Sequence, residues 1–302
     1  MPVYNKANTI SKSINSVLAQ TYQNFELIVV NDGSTDDINK VLEKYDKTIC
    51  IINQSNQGVS AARNRGIDKA VGQYICFIDA DDEWMPNHLE ELYKAILLYP
   101  KEVFFSTMFQ QIKPDGSVRS KTNLLKTNDT YIVIEDYFEM ILRYSHMFVN
   151  TDTVCILADI LKSERFVVGE TIGEDTDLWY RIAAKHNLIL IKIETAIYHQ
   201  ENSTATSDGF NPEHWKFATR NELLYNKSIK KKKRKNIEKV MDRWKCARCR
   251  DLLIEGKRTD AILILKTVRN KSVIRFWLSL LACFLPKRIT KQIIDKRKGT
   301  LV

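Results

Sequence analysis

The 302-residue chain is 44% hydrophobic and 27% charged, which fits a globular protein with a full core, in one large domain or two smaller ones. Its net charge of +9 is uneven: residues 1–100 hold 9 Lys or Arg against 13 Asp or Glu, and the positive excess is densest at 229–239 and from Lys287 onward. Six scattered cysteines exclude a disulfide-stapled scaffold and favour a reduced, cytosolic compartment, and no stretch reaches the roughly 18 apolar residues of a membrane span.

Pro2-Val3-Tyr4-Asn5 reads as the end of a strand, with no signal-peptide pattern. A first strand in an open α/β sheet is normally central, so two or three residues is short, and the natural start is expected a few residues upstream. Ile10, Ile14, Val17 and Leu18 define one face of a helix over Asn8–Gln20, with Asn8 as its N-cap. Phe25–Val30 is a strand that stops at Asn31-Asp32-Gly33-Ser34. A helix over 36–44, a strand over Ile49–Ile52 and a helix over Ala61–Ala70 follow. Strands alternating with short helices predict βαβ units and a largely parallel sheet.

Tyr74-Ile75-Cys76-Phe77-Ile78 then runs straight into Asp79-Ala80-Asp81-Asp82, a buried strand that delivers carboxylates to the sheet's carboxyl edge, where such sheets bind ligands. In an extended chain Asp79 and Asp81 share a side. Two close carboxylates repel, and a divalent cation with a phosphate-bearing ligand relieves that repulsion; a polar turn is the bland alternative.

Further on, the pattern gives a helix over His88–Leu98, a strand over Val103–Phe109 and a polar excursion over Ile112–Asn128. Ile132–Ile134, a helix over Asp136–Tyr144, a helix starting near Glu174-Asp175, a strand over Leu188–Ile193 and Ile197-Tyr198-His199 complete this part. From Asn211 the chain turns long, charged and helical. Lys230–Lys235 reads as a solvated face or linker. Cys246-Ala247-Arg248-Cys249 is a lone CxxC without the second pair that zinc needs. Val273–Leu285, with Trp277 and basic flanks, suits a helix lying in a membrane interface or packed on the catalytic domain.

Five segments in order resemble the family 2 glycosyltransferases, inverting enzymes of the GT-A fold that use nucleotide-sugar donors. They are Pro2–Asn5, Val29–Asp36, Asn56–Gly66, Gly72–Asp82 and Gly173–Trp179. The resemblance covers about 180 residues and fades after residue 205. It implies an α/β GT-A (Rossmann-like) fold, a mixed, mostly parallel sheet flanked by helices. The catalytic domain is expected at 1–210, nucleotide-binding over 1–100 and acceptor-binding over 101–210, with a helical, basic and apolar extension at 211–302.

The resemblance also implies roles. Tyr4, with Pro2 and Val3, offers a surface for the donor's base, and Asp32 could accept from the base imide. Asn56, Gly58 and Arg63 flank the nucleotide, Gly58 by close backbone approach and Arg63 by pairing with phosphate. Asp79 and Ala80 would meet the ribose, and Asp81 would ligate Mn²⁺ or Mg²⁺ against the diphosphate, with His199 completing the metal shell. Asp175 is the expected base for the acceptor hydroxyl, Glu174 its orienting neighbour, and Asp177 a helix-dipole partner.

The implied donor is a nucleotide sugar, a UDP-sugar first. The implied acceptor is a saccharide or lipid-linked saccharide of cell-surface polysaccharide synthesis, at the inner face of the plasma membrane with peripheral contact to anionic lipid. A nucleotidyltransferase acting on a sugar phosphate is the competing enzyme, but Tyr4-Asn5-Lys6-Ala7 has no glycine for a phosphate loop. A basic nucleic-acid-binding protein is the competing class. The lysine run lacks interleaved aromatics and the acidic cleft would repel a polyanion, so no nucleic-acid partner is expected.

Overall fold

A computed structural model describes residues 1–120, 122–144, 148–170, 173–200, 226–271 and 274–285. The chain divides into two compact units, Met1–Lys216 and Phe217–Val302, with the division itself outside the described residues.

The first unit opens with a small parallel sheet. Its order is β1 (Pro2–Val3), β2 (Ile28–Asp32), β3 (Cys50–Gln54), with Pro2 opposite Val30 and Asp32 opposite Gln54. Every residue of β2 is buried. One side carries α1 (Ile10–Leu18), whose Ile10, Ile14 and Val17 enter the core together with Ile38 and Leu42 of α2 (Ile38–Leu42). The other carries α3 (Val59–Lys69), whose Ala62 packs on Ile28 and Val30. Helix α1 starts two residues later than expected, with Thr9 rather than Asn8 at the cap position, and the Thr9 hydroxyl donates to Ala80 O at 2.9 Å.

The second sheet is mixed. It runs β4 (Tyr74–Cys76), β9 (Val154–Leu157), β6 (Phe104–Ile112), β10 (Leu188–His199), β5 (Glu83–Trp84), with β7 (Val118–Arg119) on β6 and β8 (Tyr131–Ile134) on β10. Only β6 and β10 pair in parallel here; within the mixed sheet expected, parallel pairing lies in the first half and in this pair. Strand β10 is twelve residues long because register shifts between Leu190, Glu194 and Ala196 turn it: its first part pairs with β8, its last with β5. Helix α4 (His88–Leu98) puts Leu92 and Ala95 against Phe105, Ile189 and Ile191. The first unit is completed by α5 (Tyr137–Tyr144), α6 (Ala158–Ser163) and α7 (Glu174–Lys185).

Strand β4 stops at Cys76 instead of running to Ile78. It pairs with β9 on one side; on the other, a cavity of about 800 Å³ separates it from β2, lined by Ile28, Val30, Tyr74, Cys76, Leu92 and Tyr93 among others. The β9 pairing ends at Cys76 opposite Cys155, so the residues after Cys76 have no ladder to hold them extended. The chain bends, and Asp82 N donates to Asp79 O at 3.3 Å.

The second unit holds α8 (Lys231–Glu255), α9 (Arg258–Lys266) and α10 (Ile274–Ala282). Its core is Cys246, Cys249, Leu252, Leu265 and Phe276, so the CxxC cysteines are buried in helix packing. Lys231–Lys235 form the first turn of α8. Among the described residues no helix is long and apolar enough to cross a membrane.

Candidate active site

The site is built where loops from both halves of the first unit meet. Asn5 sits at φ 53°, the left-handed region that Asn tolerates, and so turns the chain sharply after β1. The turn is pinned to the loop after β2: Asn5 N donates to Ser34 Oγ at 3.0 Å, Thr35 N to Asn5 Oδ1 at 2.7 Å, and Ala7 N to Asp36 Oδ2 at 2.8 Å. This aims Lys6 across the cleft, where its ammonium lies 2.7 Å from Asp81 Oδ2, each side chain only 16% exposed. Burial pushes the Asp81 carboxyl up from its ordinary range, and Lys6 partly offsets that.

Arg63, from the first turns of α3, joins the two halves. It contacts Asp79 Oδ1 and Glu174 Oε1, each at 2.8 Å, with its carbon lying 5.2 Å from the Phe166 ring centre. Its side chain is 4% exposed. Burial opposes its charge, but Asp79 and Glu174 outweigh that and hold the guanidinium protonated. The phosphate contact expected of Arg63 is therefore replaced: its donors clamp two carboxylates inside the protein, 111 residues apart in the chain for Glu174. Burial and then Asp175 raise the Glu174 carboxyl, against Arg63.

Asp175 begins α7 beside Glu174. Thr151 Oγ1 donates to its Oδ2 at 3.1 Å, and Thr176 engages Oδ1. Asp177 is buried in the same turn and accepts from Arg181 Nε at 2.9 Å. An aromatic cluster holds α7 in place: Trp179 packs on Phe77, Phe104 and Phe166 at 5.6, 6.3 and 5.7 Å between ring centres. Since Phe77 lies two residues before Asp79, this cluster fixes the Glu-Asp pair relative to the strand-end aspartates.

Beneath them lies an inner layer. Asp152, in a single 3-10 turn over Thr151–Thr153, accepts from Asp79 N at 2.8 Å, and Asp82 accepts from His199 N at 2.7 Å. The carboxylates of Asp79, Asp82 and Asp152 lie within 4.8 Å of one another, a grouping that could hold a cation. Asp82 and Asp152 are each 1% exposed, however, and burial pushes both up, Asp152 adding to the rise of Asp82, to about 11, and Asp79 to that of Asp152, to about 7. Such a pair shares a proton. Asp81, whose carboxylate holds the Lys6 ammonium, lies outside that grouping. His199 Nε2 lies 2.5 Å from Glu83 Oε1. The imidazole expected in a metal shell is thus engaged by a carboxylate on the neighbouring strand, as the β5–β10 pairing dictates.

Asp32 is 3% exposed and organises the Gln54–Gly58 loop. Its Oδ1 accepts from Gln54 Nε2 and Gln57 N at 2.7 and 2.9 Å, its Oδ2 from Gly58 N at 2.8 Å. Gly58, at φ 88°, opens α3. Gly33, at φ 72°, lets Asn56 approach so closely that a Cβ there would stand 2.6 Å from Asn56 N. Asn56 and Tyr4 are exposed, Tyr4 at 46%, while Pro2, Val3 and Ala80 are buried behind them.

The family model of glycosyl transferase family 2 matches residues 1–158. The chain belongs to that family. Among curated relatives, glycosyltransferase GlyA of Streptococcus pneumoniae is 32% identical over 182 residues, 58% of this chain and 26% of GlyA. The UDP-Glc:alpha-D-GlcNAc-diphosphoundecaprenol beta-1,3-glucosyltransferase WfgD of Escherichia coli is 48% identical over 92 residues, 30% of this chain and 36% of WfgD. The chain spans well under half the length of these relatives. In fold it resembles S. aureus TarS 1–349 in complex with UDP-GlcNAc, with a TM-score of 0.65 at 18% identity, covering 78% of this chain and 68% of TarS 1–349. The family 2 transferase shares the GT-A fold with that neighbour.

Sequence reasoning missed Lys6, Thr151 and Asp152. Lys6 sits inside the first recognisable segment, yet nothing local says which carboxylate it reaches. For Thr151 and Asp152 the one signal is Asn150-x-x-Thr153, a capping-box pattern that marks a helical start, and both reciprocal bonds are present.

Proposed function

We propose that this family 2 protein is an inverting, metal-dependent glycosyltransferase. It moves one sugar from a nucleotide sugar, a UDP-sugar first among candidates, to a saccharide or lipid-linked acceptor. The observation that carries this is the Arg63 clamp: by holding Asp79 and Glu174 together it brings Asp175 to the cleft of the strand-end aspartates. The glucosyltransferase activity of WfgD on a diphosphoundecaprenol-linked sugar and the UDP-GlcNAc bound to TarS support the choice of donor and acceptor class.

In this reading Tyr4 stacks on the base beside Asn56, while Asp32 shapes the Gln54–Gly58 loop and faces the base imide. Asp79 receives the ribose hydroxyls, its position set by Arg63 and by the Asp152 contact to its amide. Asp81 ligates the cation; when bound, Mn²⁺ or Mg²⁺ supplies positive charge to the diphosphate leaving group. Asp175, oriented by Thr151, takes the acceptor hydroxyl's proton as the anomeric bond forms, and Glu174 positions it. The test is a screen of UDP-, GDP- and dTDP-sugars with Mn²⁺, reading slow donor hydrolysis. Asp175→Asn is expected to lose transfer while keeping nucleotide binding; full activity in that variant removes Asp175 as the base.

A membrane-facing role for α10 belongs to the same proposal. Trp277, Leu281 and Phe284 recur at helical spacing and are 53%, 61% and 75% exposed, while Phe276, Ser279 and Cys283 pack inward. Replacing the three exposed residues with serine should release the protein from anionic liposomes, and unchanged co-sedimentation rejects the role.

A further inference from the structure

The contact between Lys6 and Asp81 lies at the position where the proposed function needs a divalent cation. An ammonium 2.7 Å from the carboxylate, with both side chains mostly withdrawn from water, already neutralises it. The position is built rather than casual. Lys6 is carried by the positive-φ turn at Asn5, that turn is tied to Ser34, Thr35 and Asp36, and its carbonyl accepts from Thr9 N and Ile10 N at 3.1 and 3.0 Å. Thr9 in turn bonds Ala80 O, next to Asp81. The backbones on both sides of the ion pair are thus fixed relative to each other, and the ammonium reaches Asp81 on a four-carbon stem.

We propose that Lys6 is the resident counter-cation of Asp81, displaced only when a nucleoside diphosphate brings the metal. The inference rests on the donor reading above and adds an order of binding to it. In the free protein the divalent cation must compete with the ammonium for the same oxygen, so it binds weakly alone. When the diphosphate enters, the ammonium gains phosphate oxygens as a new partner, and Asp81 is released to the metal. Lysine suits this exchange because it is a compact point charge on a flexible stem, with no forked geometry to lose.

The test is a titration of Mn²⁺ followed by the electron paramagnetic resonance signal of the free ion, with and without UDP. It uses the wild-type chain and Lys6→Met, Lys6→Arg and Asp81→Asn. Wild type is expected to bind Mn²⁺ at least tenfold tighter with UDP than without. Lys6→Met should bind Mn²⁺ alone at least tenfold tighter than wild type and lose most of the gain from UDP, while Lys6→Arg, which keeps the charge, should resemble wild type. Equal or weaker binding of Mn²⁺ alone in Lys6→Met overturns the proposal, even where wild type and UDP bind the metal together. If wild type binds Mn²⁺ with no nucleoside diphosphate tried, or Asp81→Asn binds it undiminished with UDP, the donor reading itself falls and takes this inference with it.

Discussion

Removing the charge of Arg63 tests whether the two halves of the first unit are held together by one residue. In Arg63→Met the side chain keeps most of its length but strands Asp79 and Glu174, the latter 11% exposed on its side chain, without their shared partner. Removing one member of a buried ion pair costs about 3–5 kcal/mol, because the remaining charge is left uncompensated. Asp79 is 31% exposed and recovers part of its loss from water, so the lower half of that range applies to it and Glu174 carries the rest. With an unfolding entropy of about 2.1 cal/mol/K per residue over roughly 200 residues, the loss amounts to a fall in Tm of about 7–12 °C. Glu174→Gln should cost much less, since Arg63 retains Asp79, and the double variant should recover part of the Arg63→Met loss. Thermal and urea unfolding of the three variants, arranged as a double-mutant cycle, measure this directly. A loss under about 1 kcal/mol in Arg63→Met, or additive effects in the cycle, refutes the clamp.

Three further outcomes follow from the geometry. Gly33→Ala places a Cβ 2.6 Å from Asn56 N at a φ that L-residues avoid, so it should destabilise by about 1–3 kcal/mol and weaken UDP binding, read by calorimetry. His88 is buried against Trp84, its Nδ1 2.7 Å from Thr195 Oγ1, and burial lowers its pKa from 6.5 to about 3. The unfolded chain therefore protonates first: stability is full above pH 6.5 and is lost as pH falls from there toward 3, by about 2.5 kcal/mol between pH 7 and 4.5. Urea midpoints across that range should drift less in His88→Asn than in wild type. Thr9→Val keeps the shape but leaves Ala80 O without its donor, so about 1 kcal/mol of stability should go, along with affinity for Mn²⁺ and UDP together.

Much of the first half was legible because its signals are local. The apolar spacing of Ile10, Ile14 and Val17 and the alternation of strand and helix reproduce the observed elements to within a few residues. The second half was harder, since Val154–Leu157 and the last part of β10 become strands only through partners far away in the chain. The Tyr74–Ile78 run shows the limit. Its composition calls for a five-residue strand, yet the pairing with β9 ends at Cys76 and the chain bends after it. Asp79 and Asp81 consequently do not share one side of an extended strand: one turns to Arg63, the other to Lys6.

The sequence by itself determined the family, the α/β character and the identity of the acidic motifs, because these rest on short ordered segments and on hydrophobic period. Only the tertiary structure decided which charges meet. That Arg63 clamps two carboxylates, that Asp82 pairs with Asp152, that His199 answers Glu83 and that Lys6 neutralises Asp81 depends on contacts between residues distant in the chain, 75 apart for Lys6 and Asp81, 111 for Arg63 and Glu174 and 116 for His199 and Glu83. Charge pairing over such separations carries no periodicity to read, and low water access at the site is what makes each pairing decisive.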